Sequence, residues 1–112
     1  MAQSCFRLVY VTCASEDEAV SILRFVLEHR LAACGNIIPA IKSMFWWQGK
    51  IDSAEEVLLL LKTNQALEPQ LTQAIGQLHS YECPCVVSLP ILEGNPDFLT
   101  WLGEELKQSP ES

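Results

Sequence analysis

Apolar positions along this chain of 112 residues follow two different periods. The first apolar segment, Phe6 to Cys13, is rich in valine and predicts a buried strand. A capping box follows, because the Ser15 hydroxyl can accept from the Glu18 amide while the Glu18 carboxylate reaches back. Beyond it, apolar residues recur at helical spacing, namely Ala19, Ile22, Leu23, Val26 and Leu27. This pattern predicts a helix that covers one face of a sheet.

The stretch from Ile37 to Thr63 predicts one long hairpin. Gly49 supplies the positive backbone angle of a tight turn. The run Val57 to Leu61 has no polar alternation, so this half of the hairpin predicts a strand covered by helices on one face and by another subunit on the other. A short buried helix is the alternative for the same run. Pro39 indicates an edge strand or a bend.

A second helix is predicted from Leu67 or Glu68 to about His79. Its inward positions are predicted to be Leu71, Ala74, Ile75 and Leu78. Cys83 to Pro90 predicts a short strand, and Asn95 before Pro96 predicts the N-cap of a third helix.

The resulting order β-α-β-β-α-β-α predicts an α+β protein. We expect a ferredoxin-like split βαβ sandwich with an extended β-hairpin and an added C-terminal helix. One domain is predicted over residues 1–108, with a disordered tail over 109–112.

Composition indicates self-association. Hydrophobic residues make up 49% of the chain and charged residues only 19%, which is more apolar surface than a small monomer hides. A ring of three subunits would pair the free edge of the long hairpin, so we expect a homotrimer. The predicted trimer interface contains Phe45, Trp46, Trp47 and Leu59.

Charge and apolar run length exclude two classes of partner. The net charge of −7 repels phosphate backbones, which argues against nucleic-acid binding. The longest apolar run, Val57 to Leu61, is too short for membrane insertion. Five cysteines are an odd number, and no leader of basic residues plus an apolar core precedes them. These features predict free thiols in a reducing, cytoplasmic setting.

Three runs of the chain resemble the CutA divalent-cation tolerance family: RLAACGNIIPAIKSMFWWQGKIDSAEEVLLLLKT (30–63), LHSYECP (78–84) and LPILEGNPDFLTWL (89–102). The resemblance implies a ferredoxin-like homotrimer, cytosolic in most members, with a role in metal-ion tolerance. It also implies copper binding, as in some bacterial members, and no established reaction. The family trimer is similar in arrangement to the PII signalling proteins, which bind small molecules between subunits.

The copper ligands proposed in bacterial members are carried over only in part. Their cysteine aligns with Val11 and their histidine pair with Leu78 and His79, so His79 alone is retained. Cys13 is a possible substitute, because its side chain points to the same face of the strand as that of Val11.

A second substitute is the pair Cys83 and Cys85, which flanks Pro84 near His79 and suits Cu(I) or Zn(II). The metal ligands are therefore predicted to be His79, Cys83, Cys85 and Cys13, with copper or another divalent metal as the cofactor. The alternative is that these are inert packed thiols and a structural histidine.

The family also implies a polar cleft between subunits, and the corresponding residues here are Glu56, Lys62, Tyr81 and Glu82. Glu56 and Lys62 are separated by roughly 20 Å in one extended strand, so they can meet only across a subunit boundary. Lys62 is a candidate anion ligand in that cleft, or else a solvated strand end.

Three function classes remain. The first is a homotrimeric metal-tolerance protein, and the second is a PII-like small-molecule sensor or protein-assembly scaffold. The third is an enzyme, which we rank last because the chain has only two histidines, no glycine-rich phosphate loop and no nucleophile and base at a recognisable spacing.

Overall fold

A computed structural model describes residues 6–108. Its elements are β1 (Phe6–Cys13), α1 (Glu16–Glu28), β2 (Cys34–Trp47), β3 (Lys50–Asn64), α2 (Glu68–Leu78), β4 (Val86–Pro90) and α3 (Pro96–Glu105). The strands form one antiparallel sheet in the order β2-β3-β1-β4. The α+β class and the element order are as predicted. Cys5 and the tail predicted at 109–112 lie outside the described residues.

Helix α1 begins at the predicted capping box. The Ser15 hydroxyl accepts a hydrogen bond from the Glu18 amide at 3.1 Å, and the Glu18 carboxylate accepts one from the Ala14 amide at 2.9 Å. Of the five predicted inward positions, Ala19, Ile22 and Val26 are buried and Leu23 is half-buried. The inward prediction is wrong for Leu27, which lies on the solvent side of the last turn.

The buried face of helix α2 is shorter than the apolar spacing of its sequence predicts. Leu71 and Ile75 are buried, but Leu78 is exposed, which corrects its predicted inward position. The chain leaves helical geometry at His79, and this side chain is itself buried. The following strand begins at Val86 and not at Cys83, because the residues before Val86 have no pairing with β1.

Strand β3 has a helix-facing side and an open side. Val57, Leu59, Leu61 and Thr63 are buried beside the odd-numbered residues of β1, under α1 and α2. The alternative of a short helix for the leucine run is therefore wrong. Leu59 is also corrected as an interface residue, because its exposed fraction is 0% within the core of a single chain.

The open side of the sheet carries an apolar surface. Leu58 and Leu60 of β3 are half-buried there. Val87 and Leu89 of β4 lie on the same side, since they pair with Tyr10 and Leu8, and they remain 52% and 47% exposed. Together with their neighbours these residues form the open face, which consists of Leu8, Tyr10, Leu58, Leu60, Val87 and Leu89.

The hairpin of β2 and β3 projects beyond β1, which pairs with β3 only from Val57 onward. A register shift between Ile38 and Ile41, with Ala40 at a φ of 63°, places Pro39 in a bulge on an edge strand, as its sequence position indicated. Gln48 and Gly49 both have positive φ, as a two-residue hairpin turn requires. Met44, Trp46 and Ile51 are exposed near the tip.

Two glycines allow a matched test of this packing. A Cβ on Gly35 would lie 2.5 Å from Leu23 Cδ1 and 3.0 Å from the Leu60 carbonyl oxygen, whereas a Cβ on Gly76 meets nothing within 4 Å. We expect Gly35→Ala to lower the free energy of unfolding by about 1–3 kcal/mol through overpacking. Gly76→Ala should raise it by up to about 1 kcal/mol, because alanine favours the helix. Urea denaturation measures both, and equal effects would contradict the packing at Gly35.

Candidate functional site

Three side chains of types that can ligate a metal meet at one end of the sheet, where β1 ends, α1 begins and α2 ends. The Cys13 thiol, the Glu18 carboxylate and the His79 imidazole each offer one donor atom, and these atoms lie within 4.8 Å of one another. Sixty-six positions separate Cys13 from His79 in the chain, so only folding brings them together.

The backbone holds both ring nitrogens of His79. Nε2 donates to the Thr12 carbonyl oxygen at 2.8 Å, and Nδ1 accepts from the Tyr81 amide at 3.0 Å. Because a carbonyl only accepts and an amide only donates, Nε2 carries the proton and Nδ1 presents its lone pair. The His79 side chain is 0% exposed. The ring is thus fixed in one orientation against β1.

Glu18 connects α1 with the segment after α2. Its Oε1 accepts from the Ala14 amide at 2.9 Å and its Oε2 from the Ser80 amide at 2.6 Å, while Oε2 lies 3.8 Å from His79 Nδ1. Burial acts to raise the pKa of this carboxyl, but the hydrogen bonds from Ala14 and Ser80, with a contribution from His79, lower the pKa below its usual value. Glu18 is therefore an ionised acceptor at neutral pH.

The Cys13 thiol is buried beside two carboxylates. Burial, with the charges of Glu18 and Glu56, raises its pKa to about 11. Cys13 is consequently protonated at neutral pH, and a metal ion has to displace that proton to bind the sulfur.

A second polar contact borders the cluster. The Tyr81 hydroxyl donates to Glu56 Oε2 at 2.8 Å, and Glu56 is itself buried. Burial, this hydrogen bond and the nearby negative charges of Glu56 and Glu18 raise the pKa of Tyr81 to about 12. Two residues predicted to line a cleft between subunits are thus bonded to each other within one chain.

The other predicted cleft residues lie apart from this pair. Lys62 donates to Asn36 Oδ1 on the neighbouring strand at 3.3 Å, and Glu82 is exposed beyond Tyr81. Within a single chain, the four residues therefore do not form one cluster.

The predicted metal ligands divide into two groups. His79 and Cys13 come together, but Cys83 and Cys85 are exposed and join no group of three or more metal-binding side chains within residues 6–108. Glu18 was not predicted as a ligand from the sequence, because its role in the capping box already explained why a glutamate stands there. Its negative charge and its position five residues after Cys13 could have indicated it as a ligand.

The buried donors fit a metal ion chemically, although one hydrogen bond opposes it. Sulfur, nitrogen and carboxylate oxygen are all zinc ligands, and the thiol and imidazole also suit copper. Three protein ligands leave a further coordination position open. A metal on His79 Nδ1 must displace the Tyr81 amide, so binding requires a small shift of residues 79–81.

Comparison with known proteins identifies the relatives of this chain. A family model described as CutA1 divalent ion tolerance protein matches residues 7–105. The mouse protein named CutA is 46% identical over 93 residues, which cover 83% of this chain and 52% of the mouse protein. The chain thus spans about half the length of that vertebrate relative.

Solved structures show the same fold. A divalent cation tolerance protein from Thermus thermophilus has a TM-score of 0.89 and 41% identity, covering 91% of this chain and 99% of that protein. A protein from Archaeoglobus fulgidus, described as a periplasmic divalent cation tolerance protein, has a TM-score of 0.88 and 39% identity, with 91% and 99% covered. The described helices include none that is long and apolar enough to cross a membrane.

The lowered pKa of Glu18 predicts a pH-dependent contribution to stability. The unfolded state binds the proton more readily, so this contribution is present above the ordinary value of 4.5 and is lost as pH falls through the folded value. Denaturation with a chelator present should show wild-type stability falling more steeply below pH 4.5 than that of Glu18→Gln. Glu28→Gln, at an exposed position on the same helix, is the control. Parallel curves for wild type and Glu18→Gln would contradict the assignment.

The Tyr81 hydroxyl is the donor that satisfies the buried Glu56 carboxylate. Tyr81→Phe should lower the free energy of unfolding by about 1–3 kcal/mol, because it leaves this carboxylate without its donor. In a Glu56→Gln background the same substitution should cost less, since a neutral amide is cheaper to leave unpaired. Equal losses in both backgrounds, measured by chemical denaturation, would count against the coupling.

Proposed function

This chain belongs to the CutA1 divalent ion tolerance family, and from that membership we propose a homotrimeric, cytosolic protein that contributes to metal-ion tolerance by binding a divalent cation directly. The observation that carries the proposal is the meeting of Cys13, Glu18 and His79 donor atoms within 4.8 Å. Copper is the ion that we expect it to meet in the cell, and zinc suits the same donors.

Charge favours a cation at this position. The ionised Glu18 carboxylate lies 3.8 Å from His79 Nδ1, and the chain as a whole carries a net charge of −7. Loss of the Cys13 proton on binding adds a second negative ligand. A divalent ion would then be neutralised by one carboxylate and one thiolate, with His79 as the uncharged third ligand.

The open face supports trimer formation. Its leucines and Val87 form an apolar surface on the sheet side away from α1 and α2, and Trp46 at the hairpin tip is 74% exposed. Surfaces of this kind on a small chain usually mark protein contacts. A closed ring would cover the open face and also pair the edge of the projecting hairpin, where Phe45, Trp46 and Trp47 lie.

Binding without catalysis is the proposed mode of action. The raised pKa of Cys13, about 11, is the opposite of what an activated thiol nucleophile requires. Both His79 ring nitrogens are also held by backbone groups.

Free thiols support a cytosolic location. Cys13, Cys34, Cys83 and Cys85 are all unpaired, as in proteins of reducing compartments. The compartment is proposed for this chain alone, because the Archaeoglobus relative is described as periplasmic.

The structure of the single chain supports the alternative function, a PII-like sensor or scaffold, less well than it supports metal binding. A surface depression of about 500 Å³, lined by Gln65, Glu68, Pro69 and Thr72, contains none of the predicted cleft residues. A cleft that joins Lys62 to Glu56 would have to be made by assembly. Metal binding is therefore the function we place first.

Zinc titration tests the divalent site, because Zn(II) does not oxidise thiols. Wild-type protein should bind Zn(II) with an apparent affinity that rises about tenfold per pH unit between roughly pH 6 and 8, since binding releases the Cys13 proton. Cys13→Ser and Glu18→Gln should lose this binding, and Cys34→Ser, a thiol outside the cluster, should keep it. Isothermal titration calorimetry measures each, and unchanged binding by Cys13→Ser would reject the site.

Two valines of similar exposure test the trimer. Val87 on the open face is 52% exposed and Val20 on α1 is 41% exposed. Val87→Glu should yield smaller species because a buried charge at a subunit contact is costly, whereas Val20→Glu should remain trimeric. Native mass spectrometry measures the subunit number. A trimer that survives Val87→Glu would contradict association through the open face.

A further inference from the structure

The segment between α2 and β4 carries two thiols that the buried donor cluster leaves unused. Among the described cysteines, Cys13 is buried and Cys34 is half-buried, whereas Cys83 and Cys85 are both exposed. A single residue, Pro84, separates them. Two accessible thiols at this spacing can act on the same ion.

The protein anchors this segment on both sides. Before it, the Tyr81 amide is bonded to His79 and the Tyr81 hydroxyl to Glu56. After it, Val86 is paired with Val11 in the sheet. The two thiols therefore lie in a short span between fixed points, so little additional backbone freedom is lost when a ligand joins them.

Pro84 stiffens the span further. Its ring fixes its own φ, and it disfavours helical backbone angles at the preceding Cys83. Pro84 is half-buried while both neighbouring cysteines are exposed. The stiffened span limits the conformations that a ligand of both thiols would have to select.

The local charge favours a cation as the bridging group. Glu82 is exposed directly before Cys83, and the segment from 78 to 86 contains no lysine or arginine. The nearest imidazole, His79, is turned toward Thr12 and joins the buried cluster instead. The accessible donors are thus two sulfurs and one carboxylate.

We propose that Cys83 and Cys85 form a second, exposed site that chelates Cu(I) through two thiolates. Thiolate ligands select soft ions, of which Cu(I) is the leading case among the copper and zinc ions. Each thiol gives its proton to solvent, two sulfur–copper bonds form, and copper keeps its charge of +1. The site goes beyond the divalent centre, because it takes a monovalent ion and uses none of the buried ligands.

Anaerobic Cu(I) titration against a competing chromogenic chelator tests this site on the full chain. The double variant Cys83→Ser/Cys85→Ser should bind about one equivalent of Cu(I) less per chain than wild type. Each single variant should bind this equivalent at least about tenfold more weakly, because the chelate is reduced to one thiolate. Cys34→Ser is the matched control for loss of a thiol elsewhere and should keep full stoichiometry.

Zinc binding separates this site from the buried one. The double variant should keep the Zn(II) affinity of wild type, and Cys13→Ser should keep the Cu(I) equivalent assigned to Cys83 and Cys85. Full Cu(I) stoichiometry in the double variant would overturn the proposal. Loss of the same Cu(I) equivalent in Cys13→Ser would also overturn it, because the ion would then belong to the buried donors.

Discussion

Strand β3 carries apolar side chains on both faces, and one layer of helices can remove only one of these faces from water. Leu59 and Leu61 are covered by α1 and α2 within the chain, whereas Leu58 and Leu60 face the open side of the sheet. One strand thus contributes both to the core and to the apolar open face. Its extension beyond β1 forms the projecting hairpin, so the shape of the molecule follows from the same element.

The buried donor cluster forms at the end of the sheet where β1, α1 and α2 meet. β1 ends at Cys13, α1 begins with a carboxylate that reaches Ala14 and Ser80, and His79 leaves α2 to bond the Thr12 carbonyl. The groups that could bind a cation are therefore also the groups that join three elements. Metal binding at this position would exchange one backbone hydrogen bond for metal–ligand bonds, which couples occupancy to the position of the segment after α2.

The chain contains two sets of candidate metal ligands, one buried and one exposed to solvent. The buried cluster combines sulfur, oxygen and nitrogen beside an ionised carboxylate, and the exposed Cys83 and Cys85 offer sulfur near Glu82. The difference in ligand softness provides a physical basis for distinguishing divalent from monovalent ions. Family membership supports the role in metal tolerance, while the assignment of each ion to a site rests on the residues of this chain.

Local chemistry in the sequence determined the element order, the Ser15 cap, the turn at Gly49 and the start of α3 at Asn95, because each depends on hydrogen bonds or backbone angles within about four residues. Tertiary structure alone decided that Leu59 lies in the core and that Glu18 joins Cys13 and His79. It also separated Cys83 and Cys85 from His79. The alternation of side chains along a strand predicts which residues share a face, but only the packing of the helices decides which face is covered. Distances between residues far apart in the chain follow from the same packing.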